Sequence, residues 1–200
     1  MLGLSFRRSP KVQLTGPRVH IRPPETGDRA QWLALREASK AFLQPWEPTW
    51  APDAVTRQGF MRRLHRFQAN WDSGESYPFF ILTNHGNKLA GGVTLSNIRR
   101  GVSQAASVGY WVGESFARQG IMSEGLNLTL DYAFKMLNLH RVEAACLPHN
   151  AASRGLLEKC GFREEGLARQ YLCINGRWQD HVTYGILRTD PRPLLPVKEL

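Results

Sequence analysis

Residues 117–122, with the sequence ARQGIM, are of types that can bind an anion. They follow a strand-like run and precede an apolar, helix-like segment. The first backbone N–H groups of a helix have no intrahelical partner, and the helix dipole favours negative charge there. Gly120 can turn successive amides toward one point, and Arg118 and Gln119 add side-chain donors. A single glycine also fits a simple strand-to-helix connection, so these residues alone leave both interpretations open.

Other nucleotide and metal signatures are weak or missing. Neither GxxxxGK[ST] nor GxGxxG occurs, so binding of ATP or a dinucleotide through those loops is disfavoured. The three cysteines, Cys146, Cys160 and Cys173, are odd in number and widely spaced, and no paired histidines lie near them at metal-ligand spacing. We expect neither a disulfide framework nor a metal site.

Size and composition indicate one compact domain, residues 1–200, that is not embedded in a membrane. The chain has 200 residues with 42% hydrophobic and 22% charged residues, which is ordinary for a globular protein with one substantial core. No apolar run approaches the ~20 residues that cross a bilayer. The first residues place basic side chains after a few apolar ones, unlike a secretory signal, so we expect a cytoplasmic protein.

The positive charge is concentrated in the amino-terminal third. The net charge is +9, and residues 1–66 hold 12 lysines and arginines against five acidic residues. Such a region could attract RNA, a ribosome or a phosphorylated small molecule. The stretch RQGFMRRLHRF also fits a solvated helix, since its apolar residues recur at helical spacing. Direct nucleic-acid binding is therefore left open.

Several elements must position these residues. A strand near PRVHIR leads to a helix that Asp28 caps and that runs to about Ser39. The segment FLQPWEPTWAPD contains three prolines and forms a stiff aromatic loop. A second helix is expected from Asp53 to about Trp71.

The rest of the chain alternates strands and helices. Two apolar runs flank HGNK as a hairpin, and ASVGYWVGE adds a third strand. A helix over residues 122–137, a strand at HRVEAACL, a helix closed by Gly161 and a hairpin turning at Asn175 and Gly176 follow. This order predicts an α+β fold, with a mixed sheet covered on both faces.

Two long segments carry a family resemblance. GYWVGESFARQGIMSEGLNLTLDYAF and HRVEAACLPHNAASRGLLEKCGFREEGLARQYLCINGRWQDHVTYGIL resemble the GNAT N-acetyltransferase superfamily, and IRPPETGD and FLQPWEPTW extend the likeness over about residues 18–188. The best match is the Rim-type branch, which acetylates the amino-terminal alanine or serine of ribosomal proteins. The resemblance implies a GNAT fold, with a mostly antiparallel sheet of about six to seven strands and about four helices.

The resemblance also assigns residues to acetyl-CoA. The family's loop Q/R-x-x-G-x-G/A holds the pyrophosphate, and here only its fourth position matches strictly. The departures from the pattern imply binding through backbone amides plus Arg118. The implied loop residues are Ala117, Arg118, Gln119, Gly120, Ile121 and Met122. The backbone of Tyr110, Trp111 and Val112 is expected to pair with the pantetheine arm, which lies where this strand splays from the strand of residues 141–146.

Candidate roles in chemistry follow from the same likeness. Asn150 would hydrogen-bond the pantetheine arm, although it also fits a helix N-cap, and Ser153 would help to protonate the departing thiolate. Glu47 is the first candidate to bind or deprotonate the amine, and Asp180 is the second. Trp46 and Tyr171 are assigned to acceptor binding, and Trp50 and Trp178 could line the same groove, although such aromatics are more often minor core.

Three functions remain open at this point. The first is acetylation of a protein amino terminus, with a ribosomal protein or the ribosome as partner, by direct attack in a ternary complex. The second keeps the chemistry but acts on a small amine, such as an amino acid, a polyamine or an antibiotic. The third is a non-catalytic ribosome- or RNA-associated factor.

Overall fold

The computed structural model describes residues 12–193. One eight-stranded sheet forms its centre, in the order β1-β2-β3-β4-β5-β6-β8-β7. Neighbouring strands are antiparallel except for β5 and β6, which are parallel. The strands are β1 (Leu14–Thr15), β2 (Val19–Arg22), β3 (Tyr77–Thr83), β4 (Leu89–Arg99), β5 (Ala105–Val112), β6 (Arg141–Cys146), β7 (Arg163–Ile174) and β8 (Arg177–Leu187).

Within residues 12–193, five α-helices accompany the sheet. They are α1 (Arg29–Ala38), α2 (Lys40–Leu43), α3 (Arg57–Ser73), α4 (Ile121–Asp131) and α5 (Ala151–Lys159). A π-helical turn, Tyr132–Met136, continues α4. The GNAT-type α+β arrangement that the resemblance implies is therefore confirmed, with one or two more strands than expected. One strand is the two-residue β1, which is too short to leave a periodic signal.

Each face of the sheet has its own apolar cluster. Alternation along β3 sends Phe79 and Ile81 to one face and Phe80 and Leu82 to the other. The first face is covered by α4 and α5, whose apolar residues include the fully buried Leu126 and Leu157. The second face is covered by α1 and α3, through Trp32, Phe60 and Leu64. The sheet thus separates two compartments of side chains.

Two expected helix starts are wrong in detail. The Asp28 side chain does not cap α1; it accepts bidentate hydrogen bonds from Arg22 at 2.8 and 2.6 Å and one from the Glu25 backbone N–H. A charged guanidinium outcompetes neutral helix amides for the carboxylate. The second helix begins at Arg57, where Thr56 accepts from the Gly59 N–H, rather than at Asp53.

The turns are as the sequence predicts. Asn175 and Gly176 both have positive φ, 45° and 77°, which suits the two-residue turn between β7 and β8. Only the first two residues of the proline-rich segment are α-helical: they end the short helix α2 at Leu43, just before a Pro45-containing 3-10 turn, Gln44–Trp46. The chain from Glu47 to Thr56 then has no regular helix or strand.

Candidate active site

The parallel strands β5 and β6 diverge along their length. Their pairing covers only Ala105 to Ser107, opposite Arg141 to Glu143. Farther along, Tyr110, Trp111 and Val112 pair with β4 alone. The backbone polar groups of β5 that face β6 beyond Ser107 therefore have no ladder partner, and an extended group can enter between the strands.

A tight loop joins the end of β5 to α4. Gly113 and the 3-10 turn Glu114–Phe116 precede residues 117–120, and α4 begins at Ile121. Arg118 and Gly120 have positive φ, 59° and 74°. The first backbone N–H groups of α4 follow directly on this loop and have no intrahelical acceptor. This is the geometry of an anion site at a helix N-terminus.

A buried carboxylate that the sequence reasoning missed holds this loop. Glu124, in the first turn of α4, is only 1% exposed. Its Oε1 accepts the backbone N–H groups of Arg18 and Val19 at 2.8 and 3.0 Å, and its Oε2 accepts Arg18 Nε at 3.0 Å. A charged residue within the apolar run IMSEGLNLTL is the sequence signal that could have found it.

Arg18 in turn orients the loop. Its guanidinium donates to the carbonyl oxygens of Gln119 at 2.9 Å and Gly120 at 3.4 Å. Because a trans peptide points its C=O and N–H in opposite directions, the N–H groups of Gly120 and Ile121 are aimed away from Arg18. The loop amides therefore form a preorganised set of donors.

Side chains of the same loop have different surroundings. Ile121 and Met122 are each 7% exposed and belong to the core, so only their backbone is available to a ligand. Arg118 is exposed, and Ala117 is half-buried. The Gln119 amide donates to the Ser115 carbonyl at 2.8 Å, which leaves its oxygen available. Arg118 is thus the long cationic side chain of the loop that can reach toward a bound anion.

On the α5 side of the opening, two hydroxyl groups meet. Tyr110 Oη and Ser153 Oγ lie 2.8 Å apart, and the Asn150 side chain accepts the Ser153 N–H at 3.0 Å as the N-cap of α5. Burial raises the pKa of the Tyr110 phenol well above its ordinary value. Burial also raises the pKa of the Cys146 thiol at the end of β6. Both groups are therefore held in their protonated forms at neutral pH.

A cleft of about 650 Å³ opens on the opposite face of the sheet. It lies between α1, α3 and the segment of residues 47–55, and it reaches the backbone of β4 and β5. Its lining includes Trp32, Arg36, Glu47, Trp50, Asp53, Arg62, Arg63, Arg66, Phe67, Thr94, Gly109, Tyr110 and Trp111. The volume is in the range of small-ligand sites, about 300 to 1,000 Å³.

A partly buried ion pair forms one wall of the cleft. Both oxygens of Glu47 accept from the Arg36 guanidinium, at 2.8 and 2.5 Å, and Trp50 Nε1 donates to Glu47 Oε2 at 2.7 Å. The guanidinium lies 4.1 Å from the Trp50 ring centroid and 4.9 Å from that of Trp111. Glu47 is therefore fixed in orientation and its charge is balanced.

The other residues assigned to the acceptor lie apart from this cleft. Trp46 contacts His149 at a centroid distance of 5.6 Å, and Tyr171 contacts His181 at 5.8 Å. Asp180 accepts the Gln170 backbone N–H at 2.8 Å within the β7 and β8 hairpin, and Trp178 is 66% exposed. The structure brings Glu47 and Trp50 into the cleft wall but not these four residues.

Residues 12–193 contain neither a metal-binding cluster nor a membrane-spanning helix. No group of three or more His, Cys, Asp or Glu side chains in this range is placed to hold a metal ion. No helix in the same range is long and apolar enough to cross a bilayer. The three cysteines are free thiols, with Cys146 and Cys160 buried and Cys173 exposed.

Comparison with known proteins identifies the family. The family described as "Acetyltransferase (GNAT) domain" matches residues 18–163. The chain belongs to the GNAT acetyltransferase family. It is an acyltransferase that uses acetyl-CoA. Its sequence and fold are similar to those of Rim-type N-acetyltransferases.

Individual relatives of this GNAT chain are similar over most of their length. The "Probable N-acetyltransferase YjcK" of Bacillus subtilis is 38% identical over 177 residues, 88% of this chain and 98% of that protein. The "[Ribosomal protein uS5]-alanine N-acetyltransferase" of Escherichia coli is 31% identical and covers 92% of this chain and 95% of its own. The structure of Mycobacterium smegmatis RimJ in complex with CoA-disulfide has a TM-score of 0.81 and 34% identity, and covers 85% of this chain and 82% of its own.

The loop geometry gives a test of where this GNAT enzyme binds the pyrophosphate. A Cβ at Gly120 would lie 2.9 Å from an Arg18 guanidinium nitrogen, and φ there is +74°. We expect Gly120→Val to displace Arg18 and misalign the loop amides, weakening acetyl-CoA binding by at least about tenfold, the equivalent of one lost charge-assisted hydrogen bond. Isothermal titration calorimetry measures the change.

Gly101→Val is the matched control. Gly101 also has positive φ, +65°, but no atom lies within 4 Å of a Cβ built there. The control carries the backbone strain without the contact, so its affinity should equal that of the unsubstituted enzyme. Equal affinity for Gly120→Val would contradict the assignment of the loop.

Proposed function

We propose that this enzyme transfers the acetyl group of acetyl-CoA to the α-amino group of a protein amino terminus. The observation that carries the proposal is the position of β5 between two spaces. Residues Gly109 to Trp111 line the cleft on one face, and the same residues border the opening beside β6. An amine in the cleft and a thioester in the opening would meet at this backbone segment. We further propose a ribosomal protein with amino-terminal Ala or Ser as acceptor, which the likeness to the uS5-alanine enzyme supports.

The attacking amine needs little help from a general base of the protein. The amine nitrogen attacks the thioester carbonyl carbon, the C–S bond breaks, the amine loses a proton and the CoA thiolate gains one. An α-amino group has a pKa of about 7.7 to 8.0, so much of it is already neutral near pH 8. Unpaired N–H groups of β5 at the opening would stabilise the oxyanion. The rate enhancement thus rests mainly on positioning and electrostatics.

Charge in the cleft argues against the polyamine alternative. Four arginines line it, Arg36, Arg62, Arg63 and Arg66, against the two carboxylates of Glu47 and Asp53. The lining therefore carries a net charge of two positive units, and this charge repels a polycation. The non-catalytic alternative finds no support, since the chain shares the acyltransferase family over most of its length.

The acceptor class is tested directly by mass spectrometry. The purified enzyme and acetyl-CoA are incubated with ribosomal proteins, with their amino-terminal peptides, and with spermidine, free amino acids and an aminoglycoside. We expect a mass increase of about 42 Da, one acetyl group replacing a proton, on the α-amino group of Ala- or Ser-initiated chains. Acetylation of small amines together with untouched peptides would refute the proposal.

Glu47 is proposed to accept a hydrogen bond from the incoming amine. Since Arg36 already balances its charge, its contribution is orientation rather than attraction of an ammonium. Glu47→Gln keeps the shape but weakens the pairing with Arg36, so we expect kcat/KM for the peptide to fall by about ten- to a hundredfold.

Asp53→Asn serves as the control for Glu47→Gln. Asp53 also lines the cleft, but it pairs with the exposed Arg62, and such a surface pair contributes little. Acetyl-CoA affinity should stay the same in both variants. Steady-state kinetics measures kcat/KM for the peptide in both variants. If Glu47→Gln has the same kcat/KM as Asp53→Asn, Glu47 has no part in the chemistry.

Tyr110 and Ser153 are proposed to pass a proton to the departing thiolate. The pair lies at the opening, and the phenol stays protonated because burial raises its pKa. We expect Tyr110→Phe to lower kcat by about ten- to a hundredfold without altering acetyl-CoA affinity, the usual size of a general-acid effect. Ser153→Ala should have a smaller effect if Tyr110 is the direct donor. An unchanged kcat in both variants, measured by thiol release, would exclude this route.

A further inference from the structure

Three arginines of α3 face the cleft as one group. Arg62, Arg63 and Arg66 all line it, and their spacing of three and four residues puts Arg66 on the same helix side as the other two. The peptide chemistry proposed above uses none of them. Their charge therefore requires a separate explanation.

The three arginines differ in whether a carboxylate neutralises them. Arg62 forms an ion pair with Asp53, and Arg36 across the cleft is paired with Glu47. Among the residues that the structure describes, no carboxylate forms an ion pair with Arg63 or Arg66. These two side chains account for the excess of positive charge in the cleft.

Arg63 is held in place and partly removed from water. Its guanidinium lies 5.4 Å from the ring centroid of Trp32 and 5.9 Å from that of Phe67, and the residue is half-buried. Burial lowers the pKa of Arg63, and the charges of Arg36 and Arg66 lower it further, whereas Glu47 opposes them. A cation with reduced hydration and cationic neighbours gains more from an added anion than an exposed arginine does.

The anion must come from whatever enters the cleft. The site is concave, and its walls are the aromatic rings of Trp32, Trp50 and Phe67 together with the Arg36 and Glu47 pair. Such walls suit a peptide, whose side chains and backbone can use both the apolar and the charged surfaces. A nucleic-acid backbone would instead meet the two carboxylates of Glu47 and Asp53 in the same cleft.

We propose that Arg63, assisted by Arg66, binds a side-chain carboxylate within the first few residues of the acceptor peptide, so the enzyme prefers amino termini followed by Asp or Glu. This inference rests on the proposed peptide acceptor. Arg63 and Arg66 are specificity-determining residues and take no part in bond making. Their interaction supplements the binding of the amine and acts mainly on KM.

The test uses matched peptides that differ only in charge. Peptides begin with Ala and carry a single Asp, or the isosteric Asn, at each of positions two to five of an otherwise neutral sequence. We expect the Asp peptide at one or two adjacent positions to have a kcat/KM about tenfold above its Asn counterpart, the size of one charge-assisted hydrogen bond. The difference should lie in KM and shrink in high salt, where the charges are screened.

Variants assign the preference to the two arginines. Arg63→Gln should reduce the Asp-to-Asn ratio of kcat/KM to between about one and two, and Arg66→Gln should also reduce it. Because the ratio compares two peptides with the same variant, a loss of activity common to both peptides cancels. Arg63→Lys keeps the charge and should restore part of the ratio. Arg57→Gln, an exposed arginine of α3 outside the cleft, is the control and should keep the full ratio. Arg66 is exposed, so Arg66→Gln should fold normally and tests the preference even if Arg63→Gln does not fold.

The outcomes separate this inference from the proposed function. Equal kcat/KM for Asp and Asn peptides at all four positions would overturn the inference while peptide acetylation stands. A preference that survives in both Arg63→Gln and Arg66→Gln would overturn the role of these arginines. If no peptide is acetylated although calorimetry shows acetyl-CoA binding, the proposed function fails, and the inference fails with it.

Discussion

The hydrogen bonds of the Glu124 carboxylate are the interaction on which the arrangement of the loop before α4 depends. It lies almost fully buried in the first turn of α4, where it accepts two backbone N–H groups from the start of β2 and one from the Arg18 guanidinium. Arg18 then fixes two carbonyl oxygens of the preceding loop. A buried charge is costly unless every polar atom around it is satisfied, and this network satisfies it with groups that also aim the loop amides. Strand β2, the loop and the helix are thereby held in one arrangement.

The sheet divides the chemistry into two compartments. Tyr110 and Trp111 are neighbours on β5, so their side chains point to opposite faces. Tyr110 meets Ser153 on the α5 side, and Trp111 stacks near Arg36 on the α1 side. The backbone of β5 borders both spaces. A thioester and an amine can therefore approach this backbone from separate sides of the sheet. A substitution on one side can change the binding of one reactant without altering the contacts of the other.

The sequence predicts the elements well and the charged contacts poorly. Apolar periodicity and the turn at Asn175 and Gly176 are local signals, and β3 to β8, α4 and α5 follow them. The motif likeness points to the loop at Gly120 and to Asn150, where helix starts again leave a local trace. In contrast, the partners of Arg18, Arg36 and Glu124 lie on other elements, and a single chain does not show which carboxylate a given arginine will reach. The same reason explains Asp28 and Asp53, which read as helix caps but pair with Arg22 and Arg62. Tyr171 and Asp180, which the sequence analysis assigns to the acceptor, lie in the β7 and β8 hairpin and outside the lining of the cleft, and their role stays a prediction.

The tip of the carboxyl-terminal hairpin touches the wall of the cleft. Asn175 donates its backbone N–H to the Glu47 carbonyl at 3.0 Å, and the Thr49 side chain lies beside Gly176. The segment around Glu47 is synthesised early, and the hairpin follows all the other helices and strands of the domain that the structure describes. The cleft wall therefore cannot reach its final form until translation of the domain is nearly complete, and contacts of such long sequence separation form late in folding. During synthesis, the loop of residues 117–120 and α4 would therefore be present well before the cleft has its complete wall.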